Sequence, residues 1–244
     1  MRLRSQNVSS AAETAPHPPI SPGLPSDEPF NLSFDVPPEL VNKQTLTLSG
    51  ARSWPATTHR YLASLDLIQK RGIVRTLLSQ CAVHLIEREY LDAADIVLDC
   101  ETAVLFSPLR TLPTQGDILT AAINKLSWRF SYLLVVFESF PAAQTHLHAD
   151  GQSETLTVNP FSPPVVKAVR KVRRAIAIAE GCYTKRAEAT VNFAFPLTLV
   201  DVARSIRLYG DLAQERDPTG GVLWDDRRWL DADDEDLVRL MHLL

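Results

Sequence analysis

The stretch that most constrains the fold is residues 131–139, SYLLVVFES, a continuous apolar run rich in β-branched and aromatic side chains. A run of this length without polar alternation is typical of a central strand that is covered on both faces. It therefore predicts a sheet with a layer of helices packed against each side.

Extended and helical patterns alternate around this strand. Further strands are predicted at residues 60–65, 82–89, 95–99, 102–106 and 189–196. Helices are predicted at residues 68–80, 117–130, 165–181 and 197–210, with Gly181 and Gly210 as C-terminal stops. The alternation predicts an α/β domain of three layers with a central mixed sheet flanked by helices.

The two ends of the chain differ in composition from its middle. Residues 1–44 are rich in proline and serine and have no apolar periodicity, so we expect a disordered N-terminal segment. Residues 45–210 form the predicted domain, and residues 211–244 form an acidic C-terminal segment. One folded domain with flanking segments is what the length favours.

Composition excludes several classes of function. The net charge is −4, from 25 basic and 29 acidic residues, so any basic surface must be local. The three cysteines form no CxxC pattern, which argues against zinc and redox sites and favours a reducing compartment. No apolar run approaches membrane-spanning length. Motifs for nucleotide binding and for serine hydrolases are absent, and we expect His146 and His148 to be exposed loop residues.

Three stretches carry a family resemblance: RYLASLDLIQKRGIVRTLL, HLIEREYLDAADIVLDCETAVLFSPL and INKLSWRFSYLLVVFES. In order and in strand residues they resemble the nuclease domain of XPF-family structure-specific endonucleases. They also resemble its divergent fungal and meiotic branch, the Shortage-in-chiasmata-type proteins. The resemblance covers about residues 58–210 and implies a restriction-endonuclease-like, XPF-type fold.

The resemblance also supplies a register for the active site. Family members carry Gly-Asp on one strand, then Glu-Arg-Lys and a later aspartate on the next. Ala94 and Asp95 align with the Gly-Asp pair, so the aspartate is retained. The Glu-Arg-Lys position falls on Leu105, Phe106 and Ser107, the later aspartate falls on Thr111, and an earlier family acid falls near Ser64.

Three acids form the remnant of a catalytic site in this register, namely Asp66, Asp95 and Asp99. Asp95 and Asp99 would share one face of a strand and hold a metal with Asp66. The alternative, which we favour, places Asp99 and Glu101 in a turn between two strands. Without the lysine, we expect a pseudo-nuclease with no catalytic residues and no cofactor; Mg²⁺ would serve only a residual nuclease.

A basic helix is the candidate DNA-binding element. Its cations are Lys167, Arg170, Lys171, Arg173 and Arg174. All except Arg173 share one face by spacing, where they would contact phosphates, and a plain solvated face is the alternative. A second basic cluster, Lys70, Arg71 and Arg75, is less distinctive.

The leading hypothesis is therefore a catalytically inactive XPF-like domain that binds branched DNA in meiotic recombination or DNA repair in the nucleus. The resemblance implies a heterodimer with a related non-catalytic subunit, and makes the C-terminal segment a lead-in to a missing helix-hairpin-helix module. A metal-dependent structure-specific endonuclease is the first alternative, and an interaction scaffold without DNA binding is the second. The replaced catalytic strand, residues 103–106, would be either core or a contact surface.

Overall fold

A computed structural model describes residues 35–48, 57–140, 159–182 and 189–217, together with Leu230. They belong to one compact unit that runs from Leu32 to Leu244. His146, His148 and residues 1–34 lie outside the described residues.

The described residues build a mixed sheet of six strands in the order β2-β1-β3-β4-β5-β6. Among these six strands only β3 runs antiparallel to its neighbours, so the other five all point in the same direction. The strands are β1 (His59–Ser64), β2 (Val83–Arg88), β3 (Ile96–Val97), β4 (Thr102–Pro108), β5 (Tyr132–Glu138) and β6 (Thr190–Ala194).

Helices cover both faces of the sheet and bury its alternating side chains in two apolar cores. One core contains residues of α1 (Leu65–Gln69), α2 (Arg71–Cys81) and α5 (Leu199–Arg216). The other contains residues of α3 (Leu112–Ser127) and α4 (Pro163–Cys182). The predicted α/β class with a mixed sheet between helical layers is confirmed.

Strand β5 corresponds to the apolar run of residues 131–139, and its side chains are buried on both faces of the sheet. Every side chain from Leu133 to Phe137 is at most 1% exposed. Leu133, Val135 and Phe137 belong to the core under α3 and α4, and Leu134 and Val136 belong to the opposite core. The prediction that this strand is covered on both faces is therefore confirmed, and the strand lies inside the sheet between β4 and β6.

The predicted stop of the last helix at Gly210 is wrong, because α5 continues to Arg216. Gly210 has another role. A Cβ atom there would lie 1.8 Å from the Tyr61 hydroxyl oxygen and 3.2 Å from His59 Nδ1. The missing side chain allows α5 to lie directly against β1.

Two further helix boundaries differ from the prediction. Helix α3 begins at Leu112 rather than at residue 117, and Pro113 lies in its first turn, where its missing N–H costs nothing. The helix predicted over residues 68–80 is two helices, because the backbone of Lys70 adopts φ −76° and ψ 65° and separates α1 from α2.

The segment just before the predicted domain packs against it. Leu40 lies in a short 3-10 turn, Pro38–Leu40, and is fully buried. Phe193 donates its N–H to Gln44 O at 2.8 Å, and Leu46 donates to Phe193 O at 2.8 Å. For residues 35–44 the prediction of disorder is therefore wrong, because Leu40 gives this segment an apolar anchor.

At the other end, α5 extends beyond the predicted domain limit at residue 210. Leu230, from the predicted acidic segment, is fully buried in the core under α3 and α4, and Arg88 donates a hydrogen bond to its carbonyl oxygen. Across the described residues, no helix is long and apolar enough to cross a membrane.

Candidate functional site

The carboxyl edge of the sheet is where chemistry-bearing side chains meet. Strands β1, β4 and β5 point the same way, so Ser64, Pro108 and Glu138 end at one edge. Because β3 runs in the opposite direction, Asp95, which precedes it, lies at that edge as well. In open α/β sheets this is the edge where ligands bind.

Asp95 is held between β1 and β4. Its carbonyl oxygen accepts a hydrogen bond from Ser64 N at 2.9 Å, and its own N–H donates to Val104 O at 3.0 Å. Its Oδ2 accepts a hydrogen bond from Phe106 N at 2.7 Å. The carboxylate is therefore fixed in position by backbone groups.

Burial raises the pKa of Asp95 to about 6, because removal from water disfavours the charged form. The hydrogen bond from Phe106 and the positive charge of Lys70 act against this rise, whereas the negative charges of Glu138 and Asp66 add to it. These four groups therefore surround one carboxylate.

Lys70 and Glu138 form an ion pair beside Asp95. Lys70 Nζ lies 2.6 Å from Glu138 Oε1, and Glu138 is only 9% exposed. The same ammonium lies 5.4 Å from the centre of the Phe106 ring. The break between α1 and α2 places this lysine over the end of β4.

Asp66 completes the group on its solvent side. It lies in the first turn of α1 and is exposed. Ser64, where the family acid would fall, caps α1 by accepting a hydrogen bond from Leu67 N at 3.3 Å. Asp66 therefore lies close enough for its negative charge to raise the pKa of Asp95.

Asp99 is not part of this group. Strand β3 contains only Ile96 and Val97, and Asp99 follows it at the opposite edge of the sheet. Asp99 Oδ1 accepts a hydrogen bond from Glu101 N at 2.9 Å, which is a side-chain turn. The prediction that Asp95 and Asp99 share a metal site is wrong, and the favoured turn is confirmed.

The residues at the family's Glu-Arg-Lys position are core. Leu105, Phe106 and Ser107 are each 8% exposed, with Leu105 and Phe106 in opposite apolar cores. Thr111 is exposed and donates a hydrogen bond to Gln115 Oε1 at 2.8 Å. Of the two possibilities for this strand, the structure supports core packing.

The residues at this edge do not fit a divalent cation. Mg²⁺ and Ca²⁺ take six or more oxygen ligands, some of them from water, and carboxylates supply the charge that holds the ion. Within the described ranges, no group of three or more His, Cys, Asp or Glu side chains is arranged to hold a metal ion. Glu138 Oε1 is engaged by Lys70, and Asp95 Oδ2 by Phe106 N.

A groove between α3 and α4 lies on the other face of the sheet. Its volume is about 810 Å³, and its walls come from the N-terminal parts of both helices. Each helix follows a strand at the carboxyl edge, α3 after β4 and α4 after β5. Four cations line the groove, namely Lys167, Arg170, Lys171 and Arg174.

Two of these cations already have carboxylate partners. Arg170 Nη2 lies 2.8 Å from Glu39 Oε2, and Lys171 Nζ lies 2.7 Å from Asp117 Oδ1. Lys167 and Arg174 have no ion-pair partner within the part of the chain that the structure describes. The groove therefore presents a net positive charge.

Arg173 does not line the groove with the other four cations of α4. Its guanidinium lies 4.8 Å from the centre of the Phe193 ring and 5.6 Å from that of Phe195. Its Nη2 donates to Thr45 Oγ1 at 3.0 Å, and burial lowers the pKa of its guanidinium. The structure separates Arg173 from the other cations and gives it a packing role.

Sequence reasoning missed Lys70 and Glu138 as members of the edge cluster. Lys70 was grouped with Arg71 and Arg75, and Glu138 was treated only as the end of an apolar strand. A single charged residue at the carboxyl end of a buried strand was the signal that could have identified Glu138.

The chain matches no protein-family model and no curated protein. Among solved structures it is similar to XPF from Aeropyrum pernix in complex with DNA, with 11% identity and a TM-score of 0.45, covering 64% of this chain and 66% of that chain. It is also similar to XPF from Aeropyrum pernix, with 12% identity and a TM-score of 0.41, covering 70% of this chain and 78% of that chain.

Proposed function

We propose that this domain binds DNA through the groove between α3 and α4 and does not cut it. The observation that carries the proposal is the set of four cations lining one groove in a protein of net charge −4. A local cationic surface on an acidic protein favours an anionic ligand.

The fold strengthens the positive potential of this groove. Helices α3 and α4 both begin at the carboxyl edge of the sheet, so the positive ends of two helix dipoles lie at the same edge. The Thr111 side chain makes no capping hydrogen bond to α3. Lysine and arginine side chains near helix N-termini suit phosphate oxygens.

The absence of cleavage is proposed from the carboxylate cluster. Its two buried carboxylates are occupied by Lys70 and by a backbone N–H, and the family's lysine position carries Ser107. Losing one electrostatic catalytic group at such a site costs about a hundredfold to a thousandfold in rate.

The biological setting follows from the sequence resemblance and is part of the proposal. We place the chain in the divergent fungal and meiotic branch, acting on branched DNA in recombination or repair in the nucleus. We also propose a heterodimer with a related XPF-like subunit. Co-purification of an α/β subunit at equal stoichiometry would support this, and a monomer in the native extract would contradict it.

The test of function combines binding with cutting. The full chain is incubated with labelled branched DNA in EDTA, in Mg²⁺ and in Mn²⁺. We expect retention of DNA under all three conditions without cleavage products. The triple variant Arg170→Glu, Lys171→Glu, Arg174→Glu should lose retention; unchanged retention by this variant would favour a scaffold without DNA binding.

A metal-dependent endonuclease is the second candidate. The observation that favours it is that Lys70 lies beside Asp95 and Glu138, so a lysine again adjoins two carboxylates. Cleavage of branched DNA in Mn²⁺ by the wild-type chain, lost in Asp95→Asn, would establish this candidate and overturn the first.

A further inference from the structure

We infer that a second DNA contact lies at the C-terminal end of α3, where Tyr90 and Trp128 form an aromatic platform on which unpaired bases stack. The groove between α3 and α4 cannot make this contact, because the described residues that line it include no aromatic side chain. The inference rests on the proposed function, since it takes DNA as the ligand, and it assigns unpaired nucleotides to a separate site.

Both residues of the aromatic platform are open to solvent. Tyr90 is 63% exposed and Trp128 is 55% exposed. They are the only exposed phenylalanine, tyrosine or tryptophan side chains among the described residues. Exposed apolar side chains that are scattered singly need no functional explanation, but these two belong to one cluster that joins two distant segments of the chain.

The carboxylate of Asp92 connects the two segments. Its Oδ1 accepts hydrogen bonds from the Tyr90 hydroxyl at 2.9 Å and from Lys125 Nζ at 3.3 Å. Arg129 donates to its Oδ2. Lys125 and Trp128 are three residues apart at the end of α3, so they lie on one face of the helix. The cluster therefore combines two aromatic side chains with two cations.

The turn that carries Asp92 is packed against the domain. Asp92 has a φ of 56°, a left-handed conformation that aspartate tolerates because its short side chain can form local hydrogen bonds. Leu91 and Ala94 are buried on either side of it, and Ala94 N donates to Leu91 O at 3.0 Å. Tyr90 is therefore held beside α3 before any ligand arrives, which lowers the entropy cost of binding.

The charge of the cluster favours a nucleic acid over a protein partner. Lys125 and Arg129 share the single carboxylate of Asp92, which leaves one net positive charge, and Lys125 is 62% exposed. Single-stranded nucleic acids bind where aromatic faces stack on bases and cations lie near the phosphates. Protein interfaces are also enriched in aromatic residues and arginine, but they are depleted in lysine.

Helix α3 connects the aromatic platform to the groove. Asp117, near the start of the helix, lines the groove, and Trp128 follows the last helical residue. At 1.5 Å per residue, the two positions are about 17 Å apart along the helix axis. A branched DNA with its paired backbone in the groove would therefore reach the aromatic platform with an unpaired strand.

The test is the affinity of the full chain for single strands, measured by fluorescence anisotropy in EDTA. One probe is a labelled oligothymidine, and the other is an abasic strand of the same length, which has the phosphates but no bases. We expect the wild type to prefer the oligothymidine. Trp128→Ala and Tyr90→Ala should each weaken oligothymidine binding by about fivefold or more and reduce the preference, because each removes one stacking face.

Conservative and control variants separate stacking from other effects. Trp128→Phe and Tyr90→Phe retain an aromatic face and should retain the preference. Lys125→Gln should weaken the binding of both probes, because it removes a phosphate contact and no stacking face. Ile118→Ala removes another exposed apolar side chain of α3 and should bind oligothymidine within about twofold of the wild type.

Three results would overturn the inference. The first is a wild type that binds both probes equally, and the second is a pair of folded alanine variants that keep the preference. The third is a change of oligomeric state in these variants with no loss of preference, which would identify a protein contact. Retention of blunt duplex DNA by the wild type tests the groove separately: its absence would refute the proposed groove binding without deciding whether bases stack on Tyr90 and Trp128.

Discussion

Gly210 in α5 lies against the ring of Tyr61 in β1, so closely that a Cβ on Gly210 would be 2.9 Å from Tyr61 Cζ and 1.8 Å from its hydroxyl oxygen. Replacement by alanine must displace the buried tyrosine or the helix. We expect Gly210→Ala to lower the free energy of unfolding by about 1–3 kcal/mol. Urea denaturation followed by circular dichroism measures the change.

Gly116→Ala in α3 is the matched control. Its added Cβ would lie 3.6 Å from Val172 Cγ2, an ordinary contact, and alanine favours a helix over glycine by about 0.5–1 kcal/mol. We expect this variant to be as stable as the wild type or more so. Equal destabilisation by both substitutions would contradict the packing argument.

Arg207 connects α5 to the beginning of β1 and the end of α2. It is fully buried and donates hydrogen bonds to Thr57 O at 2.8 Å, Cys81 O at 2.9 Å and Asp211 Oδ1 at 3.0 Å. We expect Arg207→Met to lower the free energy of unfolding by about 3–5 kcal/mol, because Thr57 O and Cys81 O lose a buried donor and Asp211 loses its arginine partner. Thermal and urea unfolding would show this loss. Arg204→Met, at an exposed position of the same helix, should change stability by less than about 0.5 kcal/mol.

The buried carboxyl of Asp95 should give the protein a specific pH dependence. Its pKa of about 6 in the folded state lies above the value of 3.8 in the unfolded chain, so the folded state retains its proton more strongly. The stability that the protonated Asp95 carboxyl contributes to the folded state is fully present below about pH 4. It is lost as the pH rises through 6, where the buried carboxyl ionises. We therefore expect the wild type to lose about 3 kcal/mol relative to Asp95→Asn over this range.

Urea unfolding of both proteins from pH 4 to pH 8 checks this expectation. The Asp95→Asn side chain keeps an oxygen that can accept from Phe106 N, so the comparison isolates the charge. A constant difference in unfolding free energy between the two proteins across this pH range would contradict the effect of burial.

Glu39 and Asp117 compete with a bound phosphate for the groove cations. They occupy Arg170 and Lys171 through exposed ion pairs at 2.8 Å and 2.7 Å. Such pairs are worth about 0.2–1 kcal/mol, so Glu39→Gln and Asp117→Asn should each raise DNA affinity about 1.4- to fivefold. Fluorescence anisotropy measures the affinity, with Glu215→Gln on α5 as a control that should have no effect; a fall in affinity in either test variant would contradict this account.

The sequence was sufficient to predict a mixed sheet between two layers of helices, but it did not predict every helix boundary. The apolar run of β5 predicted that helices cover both of its faces, and its alternating side chains do lie in the two cores. Gly210 was interpreted as a stop because glycine is common after helices. Its close approach to Tyr61 depends on tertiary packing, which local patterns do not contain.

The candidate site was partly predictable. Asp95 was placed from the strand register, and the basic helix was placed from its spacing. Lys70 and Glu138 are separated by 68 residues along the chain and meet only when α1 and β5 are in place. Arg173 was grouped with its neighbours by sequence, whereas the position of β6 beside α4 turns it toward Phe193.

The most direct test of the central claim is the affinity for branched DNA in EDTA, measured by fluorescence anisotropy. The wild type should bind, Lys167→Glu with Arg174→Glu should bind at least about tenfold more weakly, and Arg204→Glu on the opposite face should bind within about twofold of the wild type. A wild-type chain that does not bind, or a groove variant that binds as well as Arg204→Glu, would contradict the account.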